Sequence, residues 1–322
     1  MEEFINGKIK IGDYVKYNPI ATDDSGTENE YKYTSEGTAS GMSEYTGSNS
    51  SITGEEKTQN FKVNTATKWR VLGLNEDETQ LVLISEEPIS KETTKENPNY
   101  YLYGATGAIH CITEFNNISA IYGHGDTAEK AESVTMEDID KICGVTVDRT
   151  NKKLLGKSGT EISNENRAFM TVYSGDTNDN YKNAYKINDS WTAKEGPANI
   201  TVTSDYYGYT GNTEGLQTNT TTNVANGQIL YEMIFGNADN QYYYWLASRG
   251  VSAYPVGAYF GPGRVYYGGT AVSGGGWWFL SNDYKNFGSA PVRPKILLKS
   301  DVKVDTSTYE TGKDANGVWQ IK

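Results

Sequence analysis

Apolar and polar positions alternate in distinct ways along this chain, and each pattern predicts an element. Residues 8–17, KIKIGDYVKY, alternate apolar and polar and predict a strand. Residues 68–85, KWRVLGLNEDETQLVLIS, predict a β-hairpin, because two β-rich runs flank the acidic turn Asn75–Glu78. The period then changes. In IHCITEFNNISAIYG, Cys111, Phe115, Ile118 and Tyr122 recur at helical spacing. In SVTMEDIDKICG, Thr135 stands at a cap position and Asp138 follows three residues later, the spacing of a capping box. Met136, Ile139, Ile142 and Cys143 line the inner side of that helix, and Gly144 is a natural stop. GQILYEMIFG (227–236) predicts a short helix, and VRPKILLKS (292–300) a well-patterned strand.

Between these runs the chain is polar. Residues 18–58 are rich in Ser, Thr, Gly, Glu and Asp and read as a long loop or insertion. Residues 145–225 are punctuated by Asn, Gly, Thr and Asp, with short strands such as AFMTVYS (168–174) expected between loops. The tail 301–322 is polar, with an Asn316-Gly317 turn signal before VWQI. No repeat recurs at a fixed period.

Residues 258–281, AYFGPGRVYYGGTAVSGGGWWFLS, fit none of these patterns. A core strand would be built from Val, Ile and Leu. Consecutive rings such as WWF (277–279), and YYY (242–244) shortly before this stretch, cannot all point inward at a period of two, so some must face outward. Tyr and Trp offer rigid amphipathic area, and Gly and Ser let loops conform, which is the chemistry of a recognition surface.

Composition narrows the function. The chain has 322 residues and a net charge of -12. That balance argues against nucleic acid, which needs a basic face, and against an anionic membrane surface. The longest apolar runs, LVLIS and WWFL, are far too short to cross a bilayer. The start, MEEFINGKIKIGDYV, shows no signal-peptide pattern, so either the protein is released without one or an export or anchor segment has been trimmed. Two cysteines, Cys111 and Cys143, are no disulfide framework, although a single bridge between them stays open.

Candidate chemistry is thin. His110 and His124 lie near Cys111, but the spacing matches no zinc pattern and both cysteines fall on apolar helix faces. The run from Asp176 begins like a calcium loop, yet its sixth position is Tyr181 and its twelfth is Ile187, where Gly and Glu are required. There is no G-x-S-x-G elbow, and Gly261-Pro262-Gly263 lacks the later Gly and the Lys of a phosphate loop. Acidic residues are plentiful enough for a glycosidase pair, but none stands out from a solvated surface. No metal or cofactor is expected.

The segment YWLASRGVSAYPVGAYFGPGRV, a glycine-rich stretch, and then VRPKILLKS resemble the variable proteins of diversity-generating retroelements. IGDYVKYNP, TKWRVLGL, LVLIS, YYLYGATGA and SVTMEDIDKI are similar to the gut-bacterial surface and prophage members of that family. The resemblance runs from about residue 11 to residue 300. It implies an α+β, C-type-lectin-like fold related to the formylglycine-generating enzymes. It also divides the block at about 245–293 into scaffold and diversified positions. Trp245, Leu246, Ala247, Ser248, Val251, Ala253, Ala258, Phe260, Val265, Gly268, Val292, Arg293 and Pro294 match the scaffold. Gly250, Ser252, Tyr254, Gly257, Tyr259, Gly261, Tyr266, Trp277, Trp278, Asp283, Tyr284 and Asn286 match the positions such proteins vary to contact ligand. Strand alternation agrees, since Val251, Ala253, Ala258 and Phe260 would face in and Ser252, Tyr254 and Tyr259 out. Arg293 is expected to be a buried arginine on backbone carbonyls. The calcium-ligating Glu-Pro-Asn or Gln-Pro-Asp triplets of sugar-binding lectins do not occur. Cys111 and Cys143 are far from where the oxidising enzyme relatives carry reactive thiols.

The expected organisation is an N-terminal strand with a polar extension (1–65), a C-type-lectin-like domain (66–300) and a C-terminal tail (301–322). The expected function is binding without catalysis: an adhesin-like, hypervariable surface displayed on a bacterial cell, pilus or phage particle. Its partner would be a protein or glycan ligand on another cell surface, with no nucleic acid and no direct membrane insertion. Two alternatives stay open: a structural surface or pilus subunit whose aromatic face is an assembly contact, and a glycan-acting hydrolase.

Overall fold

The fold is mixed α and β, with sheet predominating. The structure is a computed structural model and describes residues 4, 6–23, 29–34, 58–89, 100–102, 104–142, 206–210, 219–221, 228–237, 239–254, 257–266, 270–272 and 287–322. Over 249–262 the description is of the backbone and its pairing. AFMTVYS (168–174), the calcium-like run 176–187, Cys143, Gly144 and Gly268 lie outside the described residues.

The main sheet has six strands. The expected hairpin supplies β4 (Trp69–Leu74) and β5 (Leu81–Ser85). Its turn is held by Asn75, whose side-chain oxygen accepts from the amides of Thr79 at 2.8 Å and Gln80 at 3.0 Å. KIKIGDYVKY forms only the short β1 (Tyr14–Lys16). A turn interrupts it, with Asp13 N donating to Lys10 O and Gly12 at φ 88, so the alternating pattern there overstates the strand. VRPKILLKS forms β14 (Pro294–Leu298), which pairs with β5 on one side and β7 (Ala128–Ser133) on the other. The polar tail contributes β15 (Trp319–Gln320), which runs parallel to β1 with Val15 opposite Trp319. The sheet order is β15-β1-β4-β5-β14-β7.

Both faces of this sheet are buried, which is why β5 reads as a near-continuous apolar run. On one face lies α1 (Gly104–Ala120), continued by a tight turn at 121–123. Phe115 and Ile118 of α1, and Tyr122 beyond it, join Trp69, Val71, Leu83, Ile296 and Leu298 in the larger core. Tyr17, Trp69 and Tyr122 meet edge to face, with centroids 5.2 Å and 5.9 Å apart. On the other face lie α2 (Met136–Ile142) and α3 (Ile229–Phe235). Met136, Ile139, Met233, Ile234 and Phe235 pack there on Leu72 and Ile84. Gly236 ends α3 at φ 78, donating its amide to Glu232 O, and an added Cβ would lie 2.0 Å from Asn240 O.

The remaining strands are β2 (Glu30–Thr34), β3 (Thr58–Lys62), β6 (Tyr100–Leu102), β8 (Tyr206–Thr210), β9 (Asn219–Thr221), β10 (Tyr244–Tyr254), β11 (Gly257–Tyr266), β12 (Thr270–Val272) and β13 (Phe287–Ala290). β2 and β3 pair with each other, and β6 pairs with β13. β2 falls inside the stretch expected to be loop. The second large sheet has the order β8-β10-β11-β12-β9, and its strands β10, β11 and β12 come from the aromatic and glycine-rich block.

Candidate functional site

The long hairpin β10–β11 has a buried base and a glycine-rich distal half. At the base Tyr244, Trp245, Leu246 and Val265 are buried. Trp245 stacks on Phe115 of α1 at 5.9 Å, while Tyr244, Leu246 and Val265 belong to the core under α2 and α3. The hairpin therefore enters the molecule between the two layers of core. Trp245 N donates to Pro291 O at 2.9 Å, tying β10 to the segment before β14. Beside the base, Arg264 donates to Tyr243 Oη at 2.8 Å. Burial pulls that guanidinium below its ordinary pKa, and the Tyr243 hydroxyl partly offsets this.

Arg293 is fully buried between the sheet and α3. Its guanidinium donates to Ser85 O, Glu86 O, Ile234 O and Tyr244 Oη at 2.9–3.3 Å. It also lies 5.0 Å from the Tyr242 ring and 5.1 Å from the Tyr244 ring. Among the described residues it forms no ion pair with a carboxylate. Arg293 thus gathers β5, α3 and the start of β10 through carbonyls and rings, as the sequence suggested. Burial raises the Tyr242 hydroxyl above its ordinary pKa, with Arg293 opposing.

The ladder sorts the distal half into two faces. Val251 lies opposite Phe260, and Ala253 opposite Ala258. Gly250 lies opposite Gly261, Ser252 opposite Tyr259, and Tyr254 opposite Gly257. Positions alternate across a strand, so Val251, Ala253, Ala258 and Phe260 share one face and the other six share the opposite face. β10 carries two residues, Ala247 and Ser248, in excess over β11, between the pairs Leu246–Gly263 and Arg249–Pro262. Two is an even number, so the alternation resumes in phase. The first face continues that of Trp245 and Arg264, and the second continues that of Tyr244, Leu246 and Val265.

Six expected contact positions therefore come together: Gly250, Ser252, Tyr254, Gly257, Tyr259 and Gly261. Tyr266 does not join them, because on β11 it alternates in phase with Phe260 and Arg264 and pairs with Thr270. Trp277, Trp278, Asp283, Tyr284 and Asn286 lie outside the described residues. β10 also pairs in parallel with β8, where Ser252 lies opposite Tyr209 and Gly250 opposite Tyr207. The segment YYGYT thus brings tyrosines into the same sheet. Sequence reading missed it, although three tyrosines in five residues within a polar region were a usable signal.

Among the described residues no group of three or more His, Cys, Asp or Glu is placed to hold a metal. No helix among them is long and apolar enough to cross a membrane. No protein family, curated protein or solved structure matches the chain.

Proposed function

We propose that this chain is a ligand-binding protein of the retroelement-diversified kind, a C-type-lectin-like scaffold presenting a variable surface. The surface comprises the face of Gly250, Ser252, Tyr254, Gly257, Tyr259 and Gly261; by resemblance Trp277, Trp278, Asp283, Tyr284 and Asn286, outside the described residues, are contact positions of the same set. Binding rests on aromatic stacking, adaptable hydrogen bonds and shape, with no catalytic step and no cofactor. The ligand is a protein or glycan on another cell surface, and the chain acts outside the cell, on a cell surface or on a virion.

One observation carries this reading: the register of β10 on β11. Six of the positions that resemble diversified ones collect on one face, and Val251, Ala253, Ala258 and Phe260, which resemble scaffold, collect on the other with Tyr266. A surface built that way accepts changes on one side without altering the other.

Sequencing the codons for 245–293 across a population of the source strain tests it. Variation concentrated at Ser252, Tyr254, Tyr259, Trp277, Trp278 and Tyr284, with Val251, Ala253, Phe260 and Arg293 fixed, is the expected result. A uniform segment would contradict diversification and favour a single fixed partner or an assembly contact.

A further inference from the structure

The distal hairpin is poor in the features that normally fix strand register. Gly250, Gly257, Gly261 and Gly263 stand along it, and glycine-rich pairs slip easily because few side chains specify the pairing. A slip of one residue would exchange the two faces, and a slip of two would move every position along its own face. Something other than the face residues must hold the pairing if those residues are to change.

The two excess residues of β10 are where the scaffold grips the hairpin. Ala247 N does not donate into β11; it donates to Val134 O, before α2, at 2.8 Å. Ser248 is buried, and its Oγ accepts from the amide of Met136, the first residue of α2, at 2.8 Å. That amide is one of the donors a helix start leaves without an intrahelical partner. Its neighbours are fixed in turn. Thr135 and Asp138 bond reciprocally, Thr135 N to Asp138 Oδ2 at 2.7 Å and Asp138 N to Thr135 Oγ1 at 3.2 Å. Lys295 of β14 donates to both Asp138 oxygens at 2.7 Å and 2.9 Å, in a pair less than one-fifth exposed.

We propose that Ala247 and Ser248 form a register lock. The start of α2, itself anchored to β14, holds the bulge, and the bulge sets the pairing from Arg249–Pro262 to Tyr254–Gly257. Bulges pin strand register in this way. Ser248 is a positioning residue, acting on the face without belonging to it. The use of the lock rests on the diversified face proposed above; its existence does not.

Native-state hydrogen exchange tests the lock without any ligand. In Ser248→Ala, which removes the buried hydrogen bond from Met136 N and a longer one to Glu137 Oε2 at 3.5 Å, amides of 249–254 and 257–261 should exchange about five-fold faster while amides of β4, β5 and β14 keep their rates. Ser248→Thr, which keeps the hydroxyl, should restore the hairpin rates. Unchanged hairpin rates in a folded Ser248→Ala protein, or an equal acceleration in both sheets, would overturn the proposal. If Ser248→Ala does not fold, the unmodified protein decides: the lock requires the Ala247 and Met136 amides to exchange no faster than those of 250–254 and 257–261. Faster exchange at those two amides under a protected hairpin would refute it. Neither result bears on whether the codons vary.

Discussion

Strands β5 and β11 occupy equivalent places, each an interior strand of its sheet, and are built from opposite materials. β5 reads LVLIS and is buried on both faces, with Leu83 and Ile84 pointing into different cores. β11 reads GAYFGPGRVY and is buried at its base, at Gly263 and Val265. Each β5 residue fits one set of neighbours, so the strand's place is written in its side chains. β11 is placed by backbone pairing and by attachments at its root. Identity is constrained where packing decides position, and free where the ladder and its anchors decide it.

The most damaging change should be Arg293→Ala. It strands the carbonyls of Ser85, Glu86 and Ile234 and opens a void between β5 and α3. A loss of roughly 3–5 kcal/mol in urea unfolding is expected, and Arg293→Lys should recover only part of it. Asp138→Ala comes next, removing the capping box and the Lys295 pair together, for about 1–2 kcal/mol by the same measurement.

Alkaline pH should weaken the main sheet's side of the molecule. Burial raises the Tyr17 hydroxyl well above its ordinary range, with Gly125 partly opposing. Tyr31 is pushed up to about 12, by burial first and then by its bond to Glu114. Above pH 10 the unfolded chain releases these protons and the folded chain keeps them, so stability falls as pH rises towards about 12. Unfolding followed from pH 9 to pH 12 should show a shallower decline in the Tyr17→Phe, Tyr31→Phe double variant.

The smallest stability effect belongs to the hairpin face. Tyr259→Ala should change unfolding free energy by no more than about 0.5 kcal/mol, the ordinary result for a surface position. A larger loss would mean that Tyr259 is a packing residue and that the two faces are wrongly assigned.

Much of the frame was legible because its signals are strong and local. The hairpin 69–85, the helix through Phe115 and Ile118, the Thr135–Asp138 box, α3 and β14 all carry clear periodicity or cap chemistry. β7 was missed because its inward positions are small or polar: Ala131 packs against the core, and Ser133 bonds Ser119 and Phe115 O. β15 was missed because a single residue carries it. Trp319 is buried, donates to Asp13 Oδ2 at 2.9 Å, and lies 4.4 Å from Lys313 Nζ. Of the candidate face, alternation alone separated Val251 and Ala253 from Ser252 and Tyr254. The two-residue excess at Ala247 and Ser248 depends on which residue faces which, and no single strand encodes that; the opposite phase of Tyr266, by contrast, follows from alternation along β11 alone.

The frame should carry the fold, and the hairpin face should not. A display library varying Gly250, Ser252, Tyr254, Gly257, Tyr259 and Gly261 together, sorted for protease resistance, tests it most directly. The control is a library varying Trp69, Leu83, Phe115, Trp245, Ile296 and Arg293. Most members of the first should remain resistant and few of the second. Equal loss of resistance in both would show that the face residues help specify the fold, and the division between frame and face would fail.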